Sequence, residues 1–202
     1  MEQMTRVEQE ILDAAQKVFY RRGKDGASMQ EIADEAGITR TSLNYYYRTK
    51  DKLFEAVFRD TMSHFFPKLA ALISSGRNYS DFMPEMVETI IDTILERPHI
   101  PIFMLQELAS NPERVKQVLE ELGIEPQNTL KVMKNDSELS GLPVDPRHII
   151  LNFLSICIFP FAAKPLILPL LFNDDDEAYV TFMKQRKELV PVMVRNMIKI
   201  MN

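Results

Sequence analysis

The chain has 202 residues, of which 46% are hydrophobic and 26% are charged, and its formal net charge is −5 at pH 7. These values exclude an intrinsically disordered chain and a protein that is basic over its whole surface. One cysteine, Cys157, excludes an internal disulfide and fits a reducing compartment, and the polar N-terminus lacks the apolar run of a signal peptide. We therefore expect a cytoplasmic protein.

The first predicted helix carries apolar residues three and four positions apart, from Val7 to Phe19. Gly23 and Gly26 are expected to end it. Ser28 and Glu31 then have the spacing of a capping box, in which each side chain satisfies a free backbone donor at the start of a second helix.

A third short helix follows at once. Gly37 allows a tight turn, and Thr39 is placed to cap the helix that follows it. Two short helices joined by a short turn that contains glycine are the signature of a helix-turn-helix.

The third helix, over about residues 40–48, has two chemically different sides when it is turned by about 100° per residue. Leu43 and Tyr47 fall on the side that faces the second helix, and Tyr46 lies at the boundary. The outward side carries Thr41, Asn44, Tyr45 and Arg48, with Arg40 near its edge. Arginine binds guanine bidentately and asparagine binds adenine in the same way, so this side suits the major groove of DNA.

The rest of the chain is predicted to be helical as well, with no strand pattern of useful length. A fourth helix is expected from about Thr49 to Pro67, and amphipathic segments follow at 80–96, 100–109, 112–122, 126–135, 146–159 and 175–201. Pro191 should kink the last of these. The apolar run 149–172 is long enough to span a bilayer, but Asn152, Lys164 and three prolines interrupt it. We interpret it as a buried helix followed by an irregular apolar stretch, with no membrane partner.

Two stretches, "ILDAAQKVFYRRG" and "SMQEIADEAGITRTSLNYYYRTKDKLFEAV", resemble the DNA-binding domain of the TetR family of bacterial transcription regulators. The shared features are Gly-aliphatic-Thr at the turn, then Leu and a run of aromatics, and a closing Lys-acid-x-Leu. Asn44 departs from the pattern, because the family often has tyrosine there. The similarity covers about residues 7–58.

This resemblance implies an all-α fold with a helix-turn-helix domain over 1–62 and a larger helical ligand-binding and dimerisation domain over 63–202. It also implies a homodimer, a small-molecule effector and a palindromic double-stranded DNA operator, usually bound in repression. By analogy, the residues that approach bases are Arg40, Thr41 and Asn44. The residues that would hold phosphates are Ser28, Ser42, Tyr45, Tyr46 and Lys50.

The apolar composition of the second part leads to two further expectations. Segments 146–159 and 175–201 are more apolar than surface helices need to be, so we expect them to pair across a two-fold axis. The predicted interface residues are Tyr179, Met183, Val190, Val194, Met197 and Ile198. We also expect an apolar ligand, because few polar residues stand among the apolar ones. The candidate pocket residues are His99, Met104, Asn152, Cys157 and Phe161.

Catalytic and metal chemistry find little support in the sequence. His64, His99 and His148 lack partners at helical ligand spacing, and Cys157 stands in an apolar run that suits a structural thiol. No phosphate loop, dinucleotide fingerprint or nucleophile elbow is present. We expect a regulator that is not an enzyme and needs no cofactor. The alternative is a helical small-molecule or lipid-binding protein, or an enzyme, that retains an unused helix-turn-helix scaffold.

Overall fold

A computed structural model describes residues 5–136, 139, 141, 143 and 145–201. All regular elements of these residues are helices, which confirms the predicted all-α fold. The contacts divide the chain into two compact units, one up to His64 and one from Phe65 onward. The predicted domain boundary, between residues 62 and 63, lies two residues before this division.

Unit 1 contains the first four helices. They are α1 (Arg6–Gly26), α2 (Met29–Glu35), α3 (Arg40–Tyr46) and α4 (Lys50–Ser63). The reciprocal capping box lies at the start of α1, where Thr5 and Glu8 satisfy each other's backbone donors. Gly23 leaves the helical conformation with φ 67°, so α1 breaks near its end where the sequence predicts a stop.

The core of unit 1 forms where α1 packs against α2 and α4. The rings of Phe19 and Phe54 meet edge to face with their centroids 5.0 Å apart. The other large side chains that are almost fully buried there are Ile11, Val18, Ile32, Leu43, Leu53, Val57 and Phe58. Burying each of them stabilises the unit by about 1.5–3 kcal/mol relative to leaving it exposed. Helix α1 packs against α4 and α2, and α2 in turn packs against α3.

Unit 2 contains eight helices over the described residues. They are α5 (Phe66–Ile73), α6 (Tyr79–Glu96), α7 (Ile100–Ser110), α8 (Pro112–Glu121), α9 (Pro126–Asn135), α10 (Pro146–Ala162), α11 (Lys164–Phe172) and α12 (Asp176–Met201). Helices α8, α9 and α10 each begin with proline, which suits a first helical position because its missing N–H has no partner there. The side chains of Asn111 and Asp145 cap α8 and α10.

Helix α12 is the central packing element of unit 2, because it lies against α6 along much of its length and also contacts α10 and α11. Pro191 lies inside α12, which nevertheless runs as one element from Asp176 to Met201. The side chain of Pro191 is buried.

The stretch after α10 differs from the prediction, because residues 164–172 form helix α11 and not an irregular segment. Pro165 lies in the first turn of α11, where its missing N–H removes no helical hydrogen bond. No single described helix is both long and apolar enough to cross a membrane. Helices α10 and α11 meet that test only as a pair, and they are bent by 74° at their junction.

Candidate nucleic-acid interface

Helix α3 is held in place by its two ends and one interior residue. The hydroxyl of Thr39 accepts a hydrogen bond from the Ser42 backbone N–H at 3.1 Å, which caps the helix. Gly37 in the preceding turn has φ 66°, a conformation that glycine adopts without steric cost. Leu43, at 0% exposure, is the buried residue of α3. The remaining positions of the helix are therefore available for contacts outside the protein.

The side chains of Arg40, Thr41 and Asn44 are exposed on one side of α3. Arg48, just beyond the helix, is exposed as well. Within the part of the chain that the structure describes, no ion pair or side-chain hydrogen bond occupies these four residues. They carry two guanidinium groups, one amide and one threonine methyl, and groups of these kinds bind base edges in the major groove. We call them the α3 face.

The three consecutive tyrosines have three different environments. Tyr45 is 84% exposed and Tyr46 is 37% exposed, and their rings meet edge to face at 5.4 Å. Tyr47 is half-buried, and its burial raises the pKa of its hydroxyl, with the charges of Glu8 and Asp60 adding to the rise. The predicted inward, boundary and outward positions are confirmed by these exposures.

The two serines predicted at phosphates stand at helix starts. The Ser28 hydroxyl accepts from the Glu31 N–H at 3.1 Å, and the Ser42 hydroxyl lies 2.9 Å from the Thr39 hydroxyl. Only half of the capping box predicted at Ser28 forms, because the Glu31 carboxylate accepts a hydrogen bond from Arg22 Nε at 3.4 Å. Both serines are exposed, so each hydroxyl can also contact an external group.

Lys50 has an internal role that the sequence did not indicate. Its ammonium group donates to the backbone carbonyls of Asp25 and Ala27 at 3.2 and 3.0 Å, which joins the start of α4 to the connection between α1 and α2. An ammonium group has three donors, so one of them remains for a phosphate oxygen. Lys50 is therefore both a structural tie and a candidate phosphate contact.

Lys50→Ala should weaken binding to all DNA sequences alike and lower the slope of log affinity against log salt by about one counterion. The reason is the loss of one positive charge beside the α3 face. Fluorescence anisotropy on specific and non-specific duplexes over a range of salt concentrations measures both effects. Lys68→Ala removes an equal charge from an exposed position on α5 and serves as the control. An unchanged slope in a folded Lys50→Ala protein would restrict Lys50 to its structural role.

The charge around α3 is more positive than the sequence suggests. Asp51 is the single acid among residues 40–52, and its carboxylate lies 2.8 Å from the ammonium group of Lys24. Arg40, Arg48 and Lys52 are exposed around this neutralised acid. A local basic edge of this kind suits phosphate contacts without making the whole protein basic.

The predicted dimer residues need a correction. Their side chains point into unit 2 and not out of it, because this side of α12 packs against α6 and α10. The buried residues of the predicted set are Tyr179, Met183, Val190, Val194 and Ile198, and Met197 is half-buried. A second apolar row on α12 is exposed and consists of Phe182, Leu189, Met193 and Ile200. We call it the outer α12 row.

The predicted pocket residues occupy different environments in unit 2. Cys157 and Phe161 are buried one turn apart on α10, and burial raises the pKa of the Cys157 thiol to about 12. Met104 is half-buried. His99 is exposed at the start of α7, and Asn152 is exposed with its amide nitrogen 3.2 Å from the Met197 sulfur. Only Cys157 and Phe161 therefore belong to the interior where an apolar ligand would lie.

Metal binding has no visible site in the described residues, because they contain no group of three or more His, Cys, Asp or Glu side chains suited to an ion.

The capped helix pair, the glycine turn and the α3 face define a helix-turn-helix in unit 1, and a larger helical unit follows it in the chain. Residues 11–57 match the family model described as "Bacterial regulatory proteins, tetR family". Residues 11–57 are therefore similar to the DNA-binding domain of this family, and the match covers less than a quarter of the chain.

Curated relatives and solved structures are similar to longer parts of the chain. The chain is 27% identical over 149 residues to the HTH-type transcriptional regulator RutR of Escherichia coli, covering 69% of this chain and 66% of RutR. It is 26% identical over 98 residues to the HTH-type transcriptional repressor KstR2 of Rhodococcus jostii, covering 48% of each. The chain thus spans about half to two thirds of the length of these relatives. A structure of the regulator FadR from Bacillus subtilis in complex with stearoyl-CoA has the same fold, with a TM-score of 0.62, 16% identity and coverage of 90% of this chain and 96% of FadR.

Proposed function

We propose that the protein is a DNA-binding transcription regulator, a repressor that binds a palindromic operator as a homodimer and is released by a small apolar ligand. The observation that carries this proposal is the α3 face, whose Arg40, Thr41 and Asn44 side chains are exposed and unpaired within the described residues. A surface helix that only faces water needs no such combination of base-reading side chains. The same proposal assigns the protein to the cytoplasm and gives it no catalytic role.

Base reading and phosphate contact fall on different residues of the proposed interface. Arg40, Thr41 and Asn44 would meet base edges when α3 lies in the major groove. The proposed phosphate contacts lie around them and are Ser28, Ser42, Tyr45, Tyr46 and Lys50. Contacts of this second kind fix the register of the protein on the duplex but carry no sequence information.

A homodimer follows from the geometry of an operator with two half-sites. Two copies of α3 must lie about 34–36 Å apart to enter successive major grooves on one side of the duplex. The outer α12 row and the exposed Leu151 and Leu154 of α10 are apolar surfaces that a second copy would cover. Both helices would then pair with their equivalents across a two-fold axis.

For a ligand to release the protein from DNA, it must bind more tightly to a dimer whose two α3 helices do not lie about 34–36 Å apart. A coupling of about 1–3 kcal/mol would weaken operator binding about 5–150-fold, and the operator would weaken ligand binding by the same factor. The interior of unit 2, with Met83, Phe153 and Phe161, suits an apolar ligand. The stearoyl-CoA bound to the similarly folded FadR contains a long apolar chain, which supports a ligand with an apolar part for this protein.

Selection from random-sequence DNA tests the DNA-binding role directly. The proposal predicts enrichment of a palindrome whose half-sites are about one helical turn apart. No enrichment at low salt would instead favour a helical small-molecule or lipid-binding protein, or an enzyme, whose helix-turn-helix is unused.

Asn44→Ala should relax the preference at one base position in each half-site, at a cost of about 1–3 kcal/mol for the preferred base. The amide of Asn44 is exposed on the α3 face and can donate to and accept from one base edge. Affinities for a set of single-base operator variants measure the effect. Tyr45→Phe, which removes a proposed phosphate contact, should weaken all variants equally and is the control. Uniform losses for Asn44→Ala would show that Asn44 does not read a base.

A further inference from the structure

Two polar side-chain atoms are buried without a hydrogen-bond partner in the part of unit 2 that the structure describes. They are the hydroxyl of Tyr79 and Nε of Arg186. Tyr79 is only 3% exposed. A buried donor left without a partner lowers stability, so two of them in one unit call for a reason.

The position of Arg186 follows from a proline in the neighbouring helix. Pro160 lies inside α10 and has no N–H, so the carbonyl of Ile156 loses its usual helical hydrogen bond. Arg186 Nη2 donates to that carbonyl at 2.8 Å and restores the missing bond. This contact holds the guanidinium group beside α10 but leaves Nε and the positive charge without a carboxylate in the described residues.

Tyr79 approaches the same helix from the start of α6. Its backbone N–H donates to the buried carboxylate of Asp136, which fixes the first turn of α6. Its ring packs edge to face on Phe153 of α10, with centroids 6.4 Å apart. The hydroxyl is thereby carried into the apolar interior, where burial raises its pKa strongly and the neighbouring Cys157 raises it further.

The two unpaired groups meet α10 at nearly the same level. Tyr79 packs on Phe153, and Arg186 donates to the carbonyl of Ile156. These two residues of α10 are three positions apart, which is about 4.5 Å along the helix axis at about 1.5 Å per residue. Cys157 also lies at this level. The charge of Arg186 opposes the burial that raises the pKa of the Cys157 thiol, and the thiol in turn raises the pKa of Tyr79. A positive donor and a neutral donor thus lie beside one buried thiol and among apolar side chains.

We propose that Arg186 and Tyr79 hold the head group of the effector, which is an apolar molecule that carries one carboxylate. The guanidinium group supplies the charge that a carboxylate needs in an apolar interior, and the tyrosine hydroxyl donates to its second oxygen. Phe153, which packs on Tyr79, and the buried Phe161 of α10 and Met183 of α12 would contact the apolar part. This inference rests on the proposed function, since it names the class of the releasing ligand.

Isothermal titration with decanoate and 1-decanol tests the head group, because the two molecules share one chain and differ in charge. The wild-type protein should bind decanoate about tenfold or more tightly than 1-decanol, since hydrogen bonds to charged groups are the stronger ones. Arg186→Gln should remove this preference. Arg195→Gln, at an exposed position of the same helix, should leave it unchanged.

Tyr79→Phe keeps the test valid if Arg186→Gln fails to fold. It removes only an unpaired hydroxyl, so the melting temperature should hold or rise while decanoate binds about 2–10-fold more weakly. A purely structural role of Arg186 at the Ile156 carbonyl predicts no effect of Tyr79→Phe on binding.

Three outcomes would overturn the proposal. They are equal binding of acid and alcohol, a preference that survives Arg186→Gln and Tyr79→Phe, and no binding of any straight-chain carboxylate from octanoate to hexadecanoate. Selection of an operator from random DNA is done without ligand, so it separates the two proposals. Enrichment of a palindrome without carboxylate binding would support the proposed DNA-binding function and rule out this class of ligand. Carboxylate binding without enrichment would support the ligand site and rule out the proposed DNA-binding function.

Discussion

Combining Leu189→Glu with Met193→Glu should convert the proposed dimer into monomers and weaken operator binding at least about 100-fold. Both residues are exposed on the outer α12 row of a single chain, so glutamate there leaves the interior of unit 2 intact. In the dimer, however, the row would be covered by its equivalent, and unpaired carboxylates would lose their water. A monomer carries one α3 face and forms half of the operator contacts. Sedimentation velocity and operator anisotropy on one preparation measure the two effects.

The control for this experiment places the same added charge elsewhere on unit 2. Gln106 and Ser110 are exposed on α7, and changing both to glutamate should leave the dimer and the operator affinity as they are. Ile198, one of the interface residues predicted from the sequence, is unsuitable for this test. It is 5% exposed, so a charge there would unfold unit 2 whether or not a dimer exists. An intact dimer in the Leu189→Glu, Met193→Glu protein would rule out the outer α12 row as the interface.

Leu43→Ala should destabilise unit 1 by about 2–5 kcal/mol and remove specific operator binding, while unit 2 stays folded. Leu43 is fully buried and is the interior residue of α3, so its loss leaves a cavity beneath the helix. The expected loss is a large part of the about 5–15 kcal/mol that stabilises a typical domain. Urea unfolding followed by circular dichroism, together with operator binding, measures both effects.

Leu43→Met is the matched variant, because it nearly conserves volume and should cost less than about 1.5 kcal/mol. Wild-type stability and operator affinity in Leu43→Ala would contradict the view that one side chain anchors α3.

The helix-turn-helix could be predicted from the sequence because its signals are local. Thr39 caps α3, Gly37 has the positive φ of a tight turn, and Leu43 is buried, as spacing alone predicts. The internal bonds of Lys50 could not be predicted, since its partners are backbone carbonyls more than twenty residues earlier. The phosphate and base roles on α3 remain predictions that DNA binding will test.

The interface side of α12 is harder to predict from the sequence, because α12 has two apolar rows. One runs through Met183, Val190 and Val194, and the other through Phe182, Leu189 and Met193. Both have helical spacing, so periodicity cannot say which row packs inside its own chain. The hydrogen bond of Arg186 to α10 cannot be predicted from the sequence either. The available signal was Pro160, which leaves a carbonyl in α10 unpaired, but the sequence does not identify the donor that reaches it.

The dependence of α3 on one interior residue has a consequence for evolution. Substitutions at exposed positions usually change stability by less than about 0.5 kcal/mol. Arg40, Thr41 and Asn44 can therefore be exchanged with little effect on the fold, provided that Leu43 and the Thr39 cap are retained. In the proposed regulator, operator preference and thermodynamic stability are thus separable traits. A duplicated copy could acquire new target genes by a few changes on the α3 face while its effector response stays the same.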